Sequence, residues 1–456
     1  MAGIGFELKK LMKNDSLLGV VRVYAYAGVI SSGPWILSIL GILLIGLLSF
    51  TMIAPEQFVV KFQVSITYII ACSLIFTGFV QLAFTRFSAD RLFEKNEQVI
   101  RANFNGLMLG VTLLGGLLSS AVLALYFPQQ SLLYKLLMVS AFVIISNIWI
   151  ATLFLSGMKQ YKAILLIFAI GYGLSVLLAL LLRFYYLEGM LGGFVCGQFV
   201  LLLGMLWLIY RNYPSTQFID FAFLQSRYLY LDLVLVGFFY NVGVWIDKFI
   251  FWFYADTSIV VIGPLRASPI YDIPVFLAYL SIIPGMAVLL VKMETDFVDY
   301  YDRFYNAVRS GGTLAHIEDM RNEMVFAVRQ GLYQIINIQT ITALAVFVSG
   351  ATLLPWLGIS DLYLPLLFVN LISASLQVVF LAILSVLFYL DKRRIVLILT
   401  AALVLLNGTF TILTLTLGPK FYGYGFAASM CMVIMLGFFL LDRRLATLEY
   451  DTFMLQ

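Results

Sequence analysis

Charged residues are scarce in this sequence, and hydrophobic residues are abundant. Of the 456 residues, 11% are charged and 62% are hydrophobic, and the mean hydropathy is +1.00. Soluble globular proteins have about 25% charged and roughly 45–50% apolar residues, and the interior of such a protein could not hold this much apolar side chain. The composition therefore excludes a soluble enzyme and predicts a protein with many membrane-spanning helices.

Residues that commonly carry catalysis or bind metals are also few. The single histidine, His316, lies in a polar loop with no metal-ligand partner in the sequence. The three cysteines, Cys72, Cys196 and Cys431, are far apart inside apolar segments and are predicted to be packing residues. The sequence has neither a GxxxxGKS or GxxxxGKT phosphate-binding loop nor a stretch long enough for a soluble catalytic domain. We predict a protein that is not an enzyme and that has no cofactor, metal site or nucleic-acid partner.

Apolar segments long enough to cross a bilayer recur along the whole chain. Each spanning helix needs about 20 apolar residues. Twelve segments qualify, at 25–53, 59–84, 103–127, 135–157, 163–183, 189–210, 230–254, 268–291, 332–354, 363–390, 395–417 and 422–441. Prolines such as Pro274 and Pro284 remove helical hydrogen bonds and predict a break in or beside the eighth segment. Two glycine pairs have the GxxxG spacing that predicts close helix packing, Gly106/Gly110 and Gly193/Gly197.

Basic residues are distributed unevenly between the loops on the two sides of these segments. One side has 22 Lys and Arg residues and the other has five, while Lys248 lies within a span. By the positive-inside rule, both termini face the cytoplasm. Six spans on either side of a polar stretch suggest two halves of equal orientation, with substrate passing between them. The predicted segments are a cytoplasmic amphipathic N-terminus at 1–24, an N-lobe at 25–210, a cytoplasmic linker at 211–229, a C-lobe at 230–441 and a cytoplasmic tail at 442–456.

Polar residues within the seventh span and beside the eighth are candidates for a substrate path. Charges at mid-membrane cost a few kcal/mol on insertion scales and commonly line a wet passage. Asp247 and Lys248 are adjacent and diverge by about 100° around a helix, which predicts different partners, with Arg266 and Asp272 as the nearest candidates. A structural ion pair and a substrate contact are both open interpretations. The predicted path residues here are Asn241, Trp245, Asp247, Lys248, Arg266 and Asp272.

The first span offers a second group of polar and aromatic residues. Its Ser31-Ser32-Gly33-Pro34 sequence interrupts the helix and frees backbone carbonyls that need other partners. This break is interpreted either as a hinge in a moving helix or as a static kink. The predicted path residues in this region are Arg22, Tyr24, Tyr26, Ser32 and Trp35.

Two cytoplasmic segments have the amphipathic pattern of docking helices. The N-terminus combines apolar residues at helical spacing with Lys9 and Lys10, which suits either a surface anchor or a partner-docking helix. The loop 292–331 predicts a two-helix hairpin broken at 310–312, and its seven carboxylates outnumber five basic residues. That balance favours a protein partner over anionic lipid, although a plain connecting loop is the alternative. The predicted docking residues of the hairpin are Phe297, Asp299, Tyr301, Asp302 and Phe304.

The opening of the chain is similar to that of a known transporter family. The sequence MAGIGFELKKLMK, followed by RVYAYAGVISSGPWILSILGILLIGLLSF, resembles the start of the PelG family, which are inner-membrane transporters of the bacterial Pel exopolysaccharide system. The chain length, the twelve spans and the single long cytoplasmic loop agree with this along the whole chain. The resemblance implies the polysaccharide transporter branch of the multidrug/oligosaccharidyl-lipid/polysaccharide exporter superfamily. The implied fold is an all-α polytopic membrane protein with twelve transmembrane helices in two six-helix lobes around a central cavity.

The resemblance also implies a cargo and partners. The cargo would be a nascent polymer rich in N-acetylgalactosamine, passed to the periplasm for the biofilm matrix. The partners would be a cytoplasmic glycosyltransferase that uses UDP-sugar, a membrane regulator that binds cyclic-di-GMP and a membrane scaffold subunit, in addition to the lipid bilayer. Cation-coupled drug exporters of the superfamily commonly place a carboxylate in the first helix, whereas residues 20–53 contain no Asp or Glu. The alternatives are a flippase of lipid-linked oligosaccharides or exporter of small molecules, and a scaffold that does not transport.

Overall fold

The computed structural model describes residues 23–28, 41, 56–156, 161–225, 230–356 and 358–454. Most of the first predicted span therefore lies outside the described residues, and each of the other eleven coincides with helix. From residue 56 onward, the α-helices begin with α1 Glu56–Phe93, α2 Gln98–Tyr126, α3 Leu132–Ser156, α4 Tyr161–Leu181, α5 Tyr186–Asn212 and α6 Leu231–Phe253. They continue with α7 Pro269–Leu280, α8 Ile283–Val291, α9 Val298–Arg309, α10 Leu314–Trp356, α11 Leu364–Tyr389, α12 Arg393–Leu417, α13 Tyr424–Ala446 and α14 Leu448–Met454.

Ten of the described helices are long and apolar enough to cross a membrane. The number becomes eleven if the pair formed by α7 and the helix Ile283–Arg309, bent by 41°, counts as one span. The break at residues 281–282 confirms the interruption predicted for this segment, and Pro284, in the first turn of α8, has no N–H to continue the preceding helix. Pro274, in contrast, lies inside α7. The chain is therefore a multi-pass membrane protein.

Helix α10 is longer than its predicted span. It includes the second helix of the predicted hairpin and runs without interruption from Leu314 to Trp356. Of the two glycines in α10, Gly350 lies near its C-terminal end, and Gly331 lies against Lys292 and Met293, so that a Cβ there would be 2.9 Å from the Met293 methyl. The close approach of residues 292 and 293 therefore accounts for a glycine at position 331, and the helix continues through it without a break.

A small β-hairpin is a departure from the all-α prediction. Strands β1 Ile259–Ile262 and β2 Leu265–Ala267 pair antiparallel across the turn Gly263-Pro264. Gly263 has a φ of +54°, which glycine adopts without a steric penalty. The hydroxyl of Tyr68 donates to the carbonyl of Arg266 at 2.9 Å and ties the hairpin to α1. The β-branched run before a Gly-Pro turn was a signal for this hairpin in the sequence.

The described residues form two compact units. The C-terminal unit contains helix 23–28, Ile246–Ile250 and the described residues from Pro269 onward, and the N-terminal unit contains residues 41–245 as described and Phe251–Ser268. In the C-terminal unit, α7, α10 and α11 pack through a core that includes the small residues Ala278, Ala343 and Ala374. Small side chains let membrane helices approach closely.

Helix packing in the N-terminal unit tests the two predicted glycine pairs. A Cβ at Gly193 would overlap the backbone of Ala179, and one at Gly197 would overlap Ser175, so this pair does mark the close contact of α5 with α4. Gly106 instead lies against a loop carbonyl, and Gly110 has open space around its Cα. The Gly106/Gly110 prediction of helix packing is therefore wrong, because Gly106 accommodates a loop and no other described part of the chain packs against Gly110.

Candidate functional site

A buried polar network surrounds Asp247 in the C-terminal unit. The carboxylate is 0% exposed and accepts hydrogen bonds from the Tyr271 hydroxyl at 2.6 Å and from the Asn407 amide at 3.3 Å. These partners come from α7 and α12. Thr411, one turn beyond Asn407, donates to the Asn407 side-chain oxygen at 3.0 Å. Three helices therefore converge on one carboxylate through oriented polar groups.

Lys248 neutralises this carboxylate. Its Nζ lies 3.1 Å from Oδ2 and 3.2 Å from Oδ1 of Asp247. The prediction that these neighbours meet different partners is wrong, because the flexible lysine stem bends back across the 100° that separates the two Cβ atoms. Nζ also lies 5.3 Å from the ring centre of Tyr279 and 4.8 Å from that of Phe426.

Several residues of this network were not anticipated from the sequence. Tyr279 donates to Gln377 at 2.7 Å, which connects α7 to α11. Polar amides within otherwise apolar spans, such as Gln377 and Asn407, were the available signal, since an amide in a membrane helix needs a partner. The aromatic Tyr271 and Phe426 carried no such signal because membrane helices contain many aromatic residues.

Other predicted path residues of α6 lie in the N-terminal unit. The Trp245 ring lies 6.3 Å from that of Trp252, which in turn stacks on Tyr68 at 4.5 Å. Asn241 donates to the Gly237 carbonyl at 2.9 Å within its own helix. The structure thus does not unite the α6 residues in one cluster: Asp247 and Lys248 belong to one unit, and Asn241 and Trp245 to the other.

The remaining predicted path residues have separate surroundings. Arg266, on β2, is partly buried, and its Nε has no hydrogen-bond partner among the described residues. Asp272 lies in the first turn of α7. Tyr24 and Tyr26 lie in the helical stretch 23–28 and are partly buried. Arg22, Ser32 and Trp35, like the predicted docking residues Lys9 and Lys10, lie outside the described residues.

The predicted hairpin contains α9 and the first turns of α10, separated by a turn at 310–313. Phe297 and Phe304 are fully buried, and the Phe297 ring packs edge-on against Tyr389 at 5.5 Å. Both phenylalanines are therefore core residues of the hairpin and have no surface for a partner. The helical spacing of apolar residues identified an apolar face, but spacing alone does not show that α11 and α10 cover this face within the same chain.

The two predicted acidic docking residues of the hairpin have more exposed side chains than its two phenylalanines. Asp302 is exposed, and Asp299 forms a surface ion pair with Arg303 at 3.3 Å. Tyr301 is partly buried, and its ring lies 4.5 Å from that of Tyr305. Of the predicted docking residues in the hairpin, the two aspartates are thus the ones available to another protein.

The C-terminal helix α14 packs against the same end of the C-terminal unit. Asp451 accepts from Lys392 at 2.6 Å and lies 3.6 Å from Arg444. Glu449 lies 3.3 Å from Arg321 of α10. The predicted tail is therefore helical over Leu448–Met454, and Glu449 joins it to the hairpin through the ion pair with Arg321.

The described part of the predicted linker is also packed, and we call residues 213–225 the strap. Asn103 donates to the Asp220 carboxylate at 3.0 Å, and Asn105 donates to the Phe218 carbonyl at 2.8 Å. Both asparagines lie near the start of α2 and are buried. The strap is thus fixed to α2 of its own unit by amide hydrogen bonds.

We expect Gly106→Ala to displace the strap. A Cβ at Gly106 would overlap the Asp220 carbonyl oxygen, so the substitution should cost about 1–3 kcal/mol through overpacking. Gly110→Ala is the matched control, because it has open space and exchanges glycine for a better helix former worth up to about 1 kcal/mol. Thermal unfolding and limited proteolysis of the strap measure both effects, and equal behaviour of the two variants would refute this contact.

Within the described ranges, no group of three or more His, Cys, Asp or Glu residues is arranged to hold a metal ion. The buried acidic residues of those ranges are Asp247 and Glu294. Glu294, in the π-helix Lys292–Phe297, accepts from the Tyr389 hydroxyl at 2.7 Å. Each buried carboxylate therefore has a partner within the chain.

Solved transporter structures share this fold. An outward-facing multidrug resistance MATE family transporter of the MOP superfamily is 15% identical, with 93% of this chain and 96% of that chain covered and a TM-score of 0.63. A MOP superfamily transporter from Pyrococcus furiosus, described as having a binding pocket of reverse polarity, is 14% identical with the same coverage and a TM-score of 0.64. MATE in the bent conformation is 15% identical over 97% of this chain and 98% of that chain, with a TM-score of 0.63. The chain therefore has a MATE-like fold.

Family membership rests on the sequence itself. No curated protein sequence matches the chain. The profile of the family described as "PelG: Putative exopolysaccharide Exporter (EPS-E)" matches residues 1–453. The resemblance of the opening residues is thereby confirmed over nearly the whole length. This multi-pass membrane protein, a transporter and not an enzyme, belongs to the PelG family of exopolysaccharide exporters.

Proposed function

We propose that the chain conducts a nascent exopolysaccharide across the bacterial inner membrane. The finer architecture of this proposal is twelve transmembrane helices in two six-helix lobes around a central cavity, with both termini in the cytoplasm. The excess of 22 basic residues on one side, against five on the other, supports this orientation. The match to an exporter family over residues 1–453 supports the transport of a polysaccharide.

The cargo of this proposal is the Pel polymer, rich in N-acetylgalactosamine, which enters the periplasm for the biofilm matrix. A cytoplasmic glycosyltransferase would make it from UDP-sugar, under the control of a membrane regulator that binds cyclic-di-GMP and with a membrane scaffold subunit. Sugar rings have apolar faces that pack on aromatic side chains, and 16% of the residues are aromatic. The cargo and the partners follow from the family resemblance.

Polymer extension, and not a cation gradient, drives transport in this proposal. The observation that carries it is the neutralised state of Asp247, whose charge is compensated by Lys248 at 3.1 Å. A carboxylate that already holds an ammonium gains little from a second cation, because the Coulomb attraction is already satisfied. The lack of acidic residues at 20–53 agrees with this. Each sugar added by the synthase would push the chain forward.

The hairpin of α9 and α10 is the proposed docking site for the synthase. Asp299 and Asp302 are its accessible acidic residues among those predicted, and they would meet a basic surface of the partner. The ion pairs of α14 hold this end of the C-terminal unit together, which preserves the shape of the surface.

We expect Asp299→Asn combined with Asp302→Asn to release the synthase and to stop secretion. Losing two negative charges weakens a charge-complementary interface without removing core atoms. The variant is expressed in cells that lack the native chain, and membrane-bound synthase and secreted polymer are both measured. The matched control is Asp256→Asn with Asp361→Asn, two exposed residues predicted on the opposite side. Retained synthase and normal secretion in the hairpin variant would contradict docking there. Secretion without any copy of the chain would contradict the exporter function.

A further inference from the structure

The ammonium group of Lys248 is enclosed by side chains that bind cations. Its residue is 5% exposed, and Nζ touches both carboxylate oxygens of Asp247. The ring centres of Tyr279 and Phe426 lie 5.3 Å and 4.8 Å from Nζ, within the range of a cation–π contact. We call Asp247, Tyr279 and Phe426 the cage.

The cage is held in place by groups other than Lys248. Tyr271 and Asn407 donate to the two oxygens of Asp247, which sets the orientation of the carboxylate. Tyr279 is oriented by its hydrogen bond to Gln377. The cage residues and these partners come from α6, α7, α11, α12 and α13, so packing of the whole unit maintains the cage. Removal of the ammonium would therefore leave the other cation-binding groups oriented.

The chemistry of the cage selects one class of ligand. One carboxylate with two ring faces suits a monovalent ammonium ion, which donates hydrogen bonds and also contacts aromatic rings. A divalent metal needs six or more oxygen ligands, or a defined set of His and Cys ligands. We propose that the C-terminal unit contains a binding site for a monovalent alkylammonium ion, which Lys248 fills as a covalently tethered ligand. This proposal goes beyond the transport of a polysaccharide and does not depend on the cargo.

Tethering explains why the site is closed to ions in solution. A ligand attached to the same helix has a high effective concentration and is not displaced by free ions of ordinary concentration. The site becomes accessible when the tether is removed. Lys248→Ala deletes three methylene groups and the ammonium, which together have the composition of propylammonium.

The test is chemical rescue of Lys248→Ala in the purified full-length protein. We expect this variant to unfold at a lower temperature than the wild type, because Asp247 is left as an uncompensated buried charge. Propylammonium chloride should restore most of the lost Tm, in a saturable manner that follows single-site binding. Sodium chloride at equal ionic strength and 1-propanol should restore much less, and wild-type Tm should not distinguish propylammonium from sodium.

Two variants keep the interpretation specific. The double variant Asp247→Asn with Lys248→Ala keeps the space that the lysine side chain vacates but has no carboxylate, and propylammonium should leave its Tm unchanged. Lys420→Ala, at an exposed lysine, should show neither loss nor rescue. If Lys248→Ala is not recovered as folded protein, Lys248→Arg is compared with Lys248→Met; a higher Tm for arginine supports the site. The proposal is overturned by absent rescue, by equal rescue of the Asp247→Asn double variant, or by equal Tm of the arginine and methionine variants.

Discussion

Lys248→Met is expected to destabilise the protein by about 3–5 kcal/mol, and Asp247→Asn by a similar amount. Each single change leaves one charge of a buried pair, at 0% and 5% exposure, without its counter-charge. The double variant Asp247→Asn/Lys248→Met removes both charges and should recover most of the loss, since neutral replacements of buried pairs are commonly tolerated. A double-mutant cycle of unfolding free energies measures this coupling.

An exposed ion pair provides the control for that cycle. Arg329 and Asp442 lie 3.1 Å apart with side chains 69% and 70% exposed, and such pairs contribute about 0–1 kcal/mol. Arg329→Gln and Asp442→Asn should therefore have small effects, singly and together. If the losses of unfolding free energy at Asp247 and Lys248 simply add, the two residues do not act as a compensated pair. Asp247 would then be free to bind a transported cation, and transport driven by a cation gradient would be favoured.

Phe304→Ala is expected to destabilise the hairpin of α9 and α10 by about 3–5 kcal/mol, the usual cost of deleting a buried aromatic ring. Phe304 is 0% exposed, whereas Phe326 on α10 is 64% exposed. Phe326→Ala is the matched control and should change stability by less than about 0.5 kcal/mol. Hydrogen exchange across 292–331 measures the local effect.

The Phe304→Ala variant distinguishes a role of Phe304 in packing the hairpin from a role in contacting the synthase. If Phe304 packs inside the hairpin, its replacement accelerates hydrogen exchange with or without the synthase. Unchanged exchange in the free protein, combined with loss of synthase binding, would instead mean that Phe304 contacts the partner directly.

The predicted spans agree with the helices wherever the structure describes them, because a 20-residue apolar run has few alternatives in a bilayer. Boundaries were less predictable. Helix α10 extends through both the second half of the predicted hairpin and the following span, since no proline lies between Leu314 and its last turn, where Pro355 is found. The hairpin β1–β2 lies between the predicted spans 230–254 and 268–291, where hydropathy indicates a loop but not its strands.

The candidate site was predictable in one part only. Asp247 and Lys248 stood out as charges within an apolar segment, but their partners come from distant positions, such as Asn407, 160 residues away. Contacts of this kind depend on helix packing, which periodicity does not determine. The same limit applies to Phe297 and Phe304, whose apolar face is covered by neighbouring helices.

The most direct test of the exporter account uses inside-out membrane vesicles that contain the chain and its synthase. UDP-N-acetylgalactosamine is added outside, and polymer inside the lumen is measured by its protection from an added glycosidase, with and without ionophores that collapse proton and sodium gradients. We expect luminal polymer that requires the chain, increases with synthesis and is unchanged by the ionophores. Continued synthesis with no luminal polymer after the gradients collapse would contradict this expectation and favour ion-coupled alternating access, and luminal polymer without the chain would reduce its role to a scaffold.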